Sequence, residues 1–296
     1  MIFIELIRSK LDSTLKYIFK TEDDLIVEFS YIDKNDGKDI ICLPSQTMCG
    51  LGCKFCHTTD YIGKIKNRNL LSTEILYCVN YIIDNLDIKK HNRVLLISYM
   101  GCGEPILNVE NVVDSMIALK SLENSKISYV RFAIATSLPK MKWLNFYKLT
   151  EGIKDHNLPV KLHLSLHYTM DILRTEWMPA SLDIMSSLSC ADFYRKLTKN
   201  PVEIHYTLID GVNDTEQDAI LLSTFLKDRD FNVKFLFFNE KPSLDFHPSN
   251  QEKLKIFKRY FDKYNISHEY YIPPGQDVGS SCGAFLMDTY TKYKNK

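Results

Sequence analysis

From about residue 39 the chain alternates short apolar runs with amphipathic stretches, and this alternation restricts the fold more than any single motif. Runs near 39–44, 94–100, 129–136, 160–166, 203–209, 233–238 and 267–272 read as strands. Between them, 72–86, 109–123, 139–153, 215–228 and 251–264 read as helices, and 170–200 is helical with a less regular pattern. In 109–123, Val109, Val112, Val113, Met116, Ile117 and Leu119 fall at helical spacing, with Asn108 as the expected N-cap. About six strand–helix units in a row require right-handed crossovers and a mostly parallel α/β sheet. Six are fewer than the eight that close a full barrel, so an open partial barrel and a doubly wound sheet both fit. Either places a ligand site beyond the carboxyl ends of the strands. Residues 1–38 read as a short helix followed by a strand near 25–32, too few for a core of their own.

Composition narrows the class. Of 296 residues, 45% are apolar and 25% charged, which excludes a disordered polyampholyte, a collagen-like chain and a membrane bundle. Lysine plus arginine and aspartate plus glutamate each total 37, so no global charge announces a nucleic-acid partner, and any such role rests on local patches. Glu5 and Arg8 interrupt the apolar run that a secretory leader needs, and no stretch is long and apolar enough to span a bilayer. A cytoplasmic, reducing location is therefore expected, with thiols free, metal-bound or catalytic.

Eight cysteines are too few for a disulfide scaffold, yet three crowd into Cys49-Gly-Leu-Gly-Cys53-Lys-Phe-Cys56-His57. Three thiolates on a glycine-bearing loop can hold three irons of a 4Fe-4S cluster and leave the fourth open to a ligand. Zinc is an alternative, although His57 directly after Cys56 is awkward for one tetrahedral centre. The Cys-x-x-Cys-His run also matches a haem-attachment pattern, whose chemistry needs export, and structural thiols remain a third option.

Beyond the cluster, several motifs follow in order: Cys42-Leu-Pro-Ser-Gln-Thr-Met-Cys49, Lys66-Asn-Arg-Asn-Leu70, Gly101-Cys-Gly-Glu-Pro105, Ser165-Leu-His167, Asp210-Gly-Val-Asn-Asp214 and Gly275-Gln-Asp-Val-Gly-Ser-Ser-Cys282-Gly283. Over about residues 25–288 this set resembles the RlmN/Cfr branch of the radical S-adenosylmethionine (SAM) superfamily, which methylates adenine in RNA. The resemblance implies a partial (β/α)6 barrel over 39–272, a short N-terminal extension over 1–38 and a C-terminal tail over 273–296. It implies Cys49, Cys53 and Cys56 as ligands of one 4Fe-4S cluster, and SAM contacts from Gly103, Glu104, Ser165, Leu166, His167 and Asn239. Two SAM molecules would be used per turnover. Cys282 would take a methyl group from one. The second, cleaved reductively, would generate the radical that activates this methyl for addition to adenine carbon 2 or carbon 8. Cys42 would then attack Cys282, leaving a transient disulfide, and Glu28 would be the general base. An rRNA or tRNA substrate, an electron donor such as flavodoxin or ferredoxin, and a monomeric chain are further implications.

Each assignment has a plainer counterpart. Cys42 lies in an apolar run where a buried strand cysteine is common, and Glu28 on a strand reads equally as a solvated edge residue. Ser165 and His167 could simply cap a strand end. Cys78 reads as core, Cys102 as a packing residue in the family's methionine position, and Cys190 carries no motif. Four departures stand out: only about 38 residues precede the barrel, Ala135 replaces a serine, Phe285 ends a Cys-Gly-Ala-Phe stretch, and Pro273 and Pro274 lead into Gly275 without an arginine. Lys54, Lys64, Lys66 and Arg68 beside the cluster, with Tyr61 as a stacking platform, form the candidate RNA surface. The same chemistry on another adenine-bearing acceptor, and a metal-bound redox or structural protein without turnover, are the competing readings.

Overall fold

A computed structural model describes residues 1–34, 36–86, 93–124, 127–280, 284 and 289–293. Ten strands form one sheet in chain order: β1 (Ile2–Arg8), β2 (Thr14–Lys20), β3 (Ile26–Lys34), β4 (Lys38–Cys42), β5 (Val94–Tyr99), β6 (Tyr129–Thr136), β7 (Val160–Ser165), β8 (Val202–Leu208), β9 (Phe231–Phe237) and β10 (His268–Tyr271). The helices are α1 (Ser72–Leu86), α2 (Val109–Lys120), α3 (Trp143–Asp155), α4 (Asp171–Trp177), α5 (Ile184–Thr198), α6 (Glu216–Leu226), α7 (Gln251–Lys263) and α8 (Thr289–Tyr293). Strands β4 to β10 pair in parallel. Each of β4 to β9 is followed by at least one helix, so six β/α units precede the last parallel strand. The fold is the open, partial α/β barrel, and the doubly wound alternative falls away. Among the described residues no helix is long and apolar enough to cross a membrane.

The N-terminal reading needs correction. No helix occurs in 1–34; β1, β2 and β3 form an antiparallel meander that continues the barrel sheet through the β3–β4 pair. In β2 the alternation of Thr14, Lys16 and Lys20 with Leu15, Tyr17 and Phe19 is interrupted only by Ile18, and both faces are covered. Leu15, Tyr17 and Phe19 enter the main core with α1, while Ile18 packs with Tyr293 of α8.

The expected helix over 170–200 is two helices, broken around Met178–Pro179, as a proline interrupts helical hydrogen bonding. Asn108 does not cap α2 with its side chain. A 3-10 turn, Pro105–Asn108, runs straight into α2, and Asn108 Nδ2 donates to the Ser45 and Leu70 carbonyls, each at 2.8 Å. That side chain ties the loop after β4 to the loop after β5.

These two loops approach closely. A Cβ on Gly101 would lie 2.8 Å from the Leu43 carbonyl carbon and 2.9 Å from Pro44 N. One on Gly103, at φ +102°, would lie 2.7 Å from Gln46 N. Backbone atoms cannot yield as a flexible side chain does. We predict that Gly101→Ala, by overpacking, and Gly103→Ala, by overpacking and backbone strain, each lose at least about 2 kcal/mol in urea unfolding. Gly211→Ala, at φ +69° in open space, should lose about 1–2 kcal/mol from its backbone alone.

Candidate active site

The carboxyl ends of β4 to β9 surround one cavity. Cys49, Cys53, Cys56, Gly103, Glu104, Ser165, His167 and Asn239 all line it. The loop after β4 brings the three cysteines there, each half-buried and none in a disulfide. Gly52, at φ +73°, permits the turn between Cys49 and Cys53. Cys53 O then accepts from Cys56 N–H at 3.0 Å and from Thr59 Oγ1 at 2.6 Å, fixing the second half of the loop.

The donor set fits an iron–sulfur cluster better than its competitors. Burial, then the neighbouring Cys56, pushes the Cys49 thiol up to about 12, while the amides of Leu51 and Gly103 oppose the shift. Burial and the other two cysteines raise Cys53 well above the usual thiol range. Such crowded soft donors ionise readily only around a cationic centre. Among the described residues the cysteines form no group with all sulfurs within 4.8 Å of one another. A single tetrahedral zinc with bonds of about 2.3 Å would hold them roughly 3.8 Å apart. His57 is turned away, its Nε2 3.2 Å from the Glu240 carbonyl. Cys102 packs beside Met48 and Cys49 and does not line the cavity, as its packing reading expects. Cys78 and Cys190 are likewise buried in the core.

Glu104 is the buried carboxylate of the mouth. Its Oε1 accepts from Ile106 N–H at 3.3 Å, and its Oε2 accepts from Ser137 N–H at 3.0 Å and Ser137 Oγ at 3.2 Å. Burial nonetheless raises its pKa, so a bound cation would favour the ionised form. The left-handed residue His167, at φ +57°, presents Nδ1 to Thr207 N–H at 3.0 Å. That hydrogen bond assigns the ring proton to Nε2. Burial depresses the His167 pKa well below the usual value, leaving a neutral ring. Asn239 Oδ1 accepts from Gln276 Nε2 at 3.2 Å, which links the mouth to the tail segment.

Not every expected residue gathers there. Leu166 turns into the main core, so only its backbone is near the mouth. Cys42 lines the barrel lumen instead. The register sets Cys42 opposite Ser30, and Ser30 opposite Lys16, on one face of three strands; Glu28 is two residues from Ser30 on that face. Glu28 is not a solvated edge residue: it is buried, 3.0 Å from the equally buried Lys16 Nζ. Lys16 also donates to the Val278 carbonyl at 3.0 Å. Cys282 lies outside the described residues. The tail just ahead of it is tied down, Gly275 N–H donating to Asp12 Oδ2 at 2.8 Å and Ser9 Oγ to Asp277 Oδ1 at 2.7 Å.

Sequence patterns did not single out Ser137 or Arg174. Arg174 is buried and donates to the carbonyls of Ser165, Leu166, Ser137 and Leu182, so one guanidinium organises three loops of the rim. An arginine followed by Trp177 and Pro179 in an irregular helical stretch was the only hint available. The candidate RNA surface is also less free than it reads. Lys66 and Arg68 both pair with Asp23, Arg68 pairs further with Glu74, and Lys54 pairs with Glu176. Tyr61 packs edge-to-face on Tyr290 at 5.8 Å.

A six-unit partial barrel with a three-cysteine loop after its first parallel strand has the architecture of the radical SAM enzymes. A crystal structure of a radical SAM methyltransferase from Sphaerobacter thermophilus shares the fold, with a TM-score of 0.81 at 24% identity over 95% of this chain and 80% of that one. No protein-family model matches. A probable dual-specificity RNA methyltransferase RlmN of Fervidobacterium nodosum is 32% identical over 292 residues, covering 97% of this chain and 79% of the relative. The corresponding protein of Lachnoclostridium phytofermentans is 30% identical over 97% of this chain and 77% of its own length. The chain belongs to the RlmN family.

The Lys16–Glu28 pair supplies a test of how the N-terminal meander is held together. Lys16→Met leaves a buried carboxylate without its ammonium and should cost about 3–5 kcal/mol in urea unfolding. Adding Glu28→Gln should recover most of that loss. If the single substitution costs under about 1 kcal/mol, the pair does not hold the meander together.

Proposed function

We propose that this chain is a radical SAM methyltransferase that methylates carbon 2 or carbon 8 of an adenine in rRNA or tRNA. The observation carrying this reading is the convergence of the cysteine trio, Glu104, Ser165, His167 and Asn239 on one cavity at the barrel mouth. Cys49, Cys53 and Cys56 would hold one 4Fe-4S cluster, which with bound SAM supplies one-electron cleavage of a carbon–sulfur bond. In this reading residues 1–38 extend the barrel, 39–272 form it, and 273–296 are the tail bearing the methyl acceptor.

Glu104 accepts hydrogen bonds from the ammonium of SAM, and Ser137 holds its carboxylate in place. Neutral His167 offers an Nε2–H donor at the same rim. Ser165 is fixed through its carbonyl by Arg174, and Gly103 lets the loop bearing Glu104 pack against the loop after β4. Cys282 takes the methyl group by displacement from one SAM. Once the methyl carbon is joined to adenine, Glu28 removes the proton from the ring carbon, and the unpaired electron of the adduct would return to the cluster. The Cys42 thiolate then attacks the Cys282 sulfur; the carbon–sulfur bond breaks, the released carbon takes up a proton to become the methyl group, and a disulfide remains. The placement of Glu28 and Cys42 on one inner face supports these paired roles. Use of two SAM molecules per turnover, an electron donor such as flavodoxin or ferredoxin, and a monomeric chain complete the proposal.

The adenine must leave its stack to reach a cavity inside the rim, so a loop or single strand is the expected target. Pairing of Lys54, Lys66 and Arg68 with carboxylates favours a second reading: the same chemistry on a different adenine-bearing acceptor.

Intact-mass analysis tests the carrier role. Protein purified with its cluster should carry one added methyl group, lost in Cys282→Ala. An unmethylated parent under those conditions contradicts a cysteine carrier. Nucleoside analysis of RNA from cells with and without the gene should show one methyladenine species disappear. If none disappears while Cys282 is methylated, the acceptor is not RNA.

A further inference from the structure

Below the mouth, the barrel lumen forms a cavity of about 600 Å³. Alternation along β7 and β8 turns His163, Glu203 and His205 into it. The parallel register sets His163 beside Glu203 and Ser165 beside His205, so three ligand-type side chains meet on two neighbouring strands. All three are buried.

Their donor atoms form a small triangle. His163 Nδ1 lies 2.7 Å from His205 Nε2 and 3.0 Å from Glu203 Oε1, and His205 Nε2 lies 3.4 Å from the same oxygen. An ion holding three mutually perpendicular donors at about 2.1 Å keeps them roughly 3.0 Å apart, so the triangle matches one face of an octahedron. Among the described residues this is the trio of such donors gathered within 4.8 Å.

Hydrogen bonding alone leaves the triangle poorly satisfied. Whichever ring places a proton between the two nitrogens, lone pairs still face each other across another edge of the triangle. Glu203 Oε1 is buried without a well-aligned hydrogen bond. Lys234 Nζ, 2.8 Å away, is its present counter-charge. That ammonium also reaches Glu269 at 2.9 Å and lies over the Tyr271 ring at 4.9 Å, so it keeps partners if an ion takes Oε1. Lys161 engages the other carboxylate oxygen, at 3.2 Å.

We propose that His163, Glu203 and His205 bind one first-row divalent metal ion through two imidazoles and one carboxylate, with the remaining positions open to the lumen. The site uses none of the cysteines. His205 lines both the lumen and the mouth cavity, so the ion forms part of the floor beneath the candidate active site.

Cobalt(II) separates this site from the thiols, because thiolate ligation adds intense charge-transfer absorption that nitrogen and oxygen ligands lack. The full-length chain carrying Cys49→Ser, Cys53→Ser and Cys56→Ser should retain one Co²⁺ after desalting, with weak ligand-field bands only. Adding Glu203→Gln or His163→Ala should weaken binding by at least about a hundredfold. Absence of retained cobalt, or retention unchanged by both substitutions, overturns the proposal. Should the cysteine variant fail to fold by circular dichroism, the cluster-loaded parent is titrated with Mn²⁺, which thiolates bind poorly. Loss of the free-ion electron paramagnetic resonance signal at one equivalent, abolished by Glu203→Gln, supports the site. An undiminished signal contradicts it.

Discussion

The close approach of two backbone loops governs the geometry of this molecule. Parallel pairing of β4 with β5 aligns Cys42 with Ser98, and the chain beyond each strand then turns over the other. Gly101 and Gly103 lie where a Cβ would overlap Leu43, Pro44 and Gln46, and Asn108 ties Ser45 to Leu70. This contact sets the cysteine loop, which leaves β4, against Glu104, which follows β5. The soft-donor trio and the buried carboxylate therefore reach one cavity without side chains long enough to bridge it.

The N-terminal meander holds the segment that leads into the tail. Lys16 joins Glu28 to the Val278 carbonyl, and Asp12 and Ser9 hold Gly275 and Asp277. One hairpin thus positions the candidate base and the segment leading to Cys282.

Much of this was legible before any coordinates. Apolar runs at regular spacing located the seven parallel strands, because strands enclosed by crossover helices read as continuous apolar segments. Cysteine spacing and the Gly101–Pro105 motif located the mouth. What escaped depends on contacts between distant segments. β2 alternates polar and apolar residues except at Ile18, and so short a run reads equally as part of a helix. Lys16 and Glu28 pair only because of strand register. Arg174 and Ser137 act through backbone groups of other loops. Lys54, Lys66 and Arg68 read as a free basic patch, but Asp23, Glu74 and Glu176 come from elsewhere in the chain to meet them.

The most direct measurement is electron paramagnetic resonance of the anaerobically reconstituted, reduced protein before and after SAM is added. About four irons per chain and a reduced-cluster signal displaced by SAM are expected if the cysteine loop and Glu104 frame a single ligand site. Zinc held on the cysteines, or an iron–sulfur signal indifferent to SAM, would contradict that arrangement.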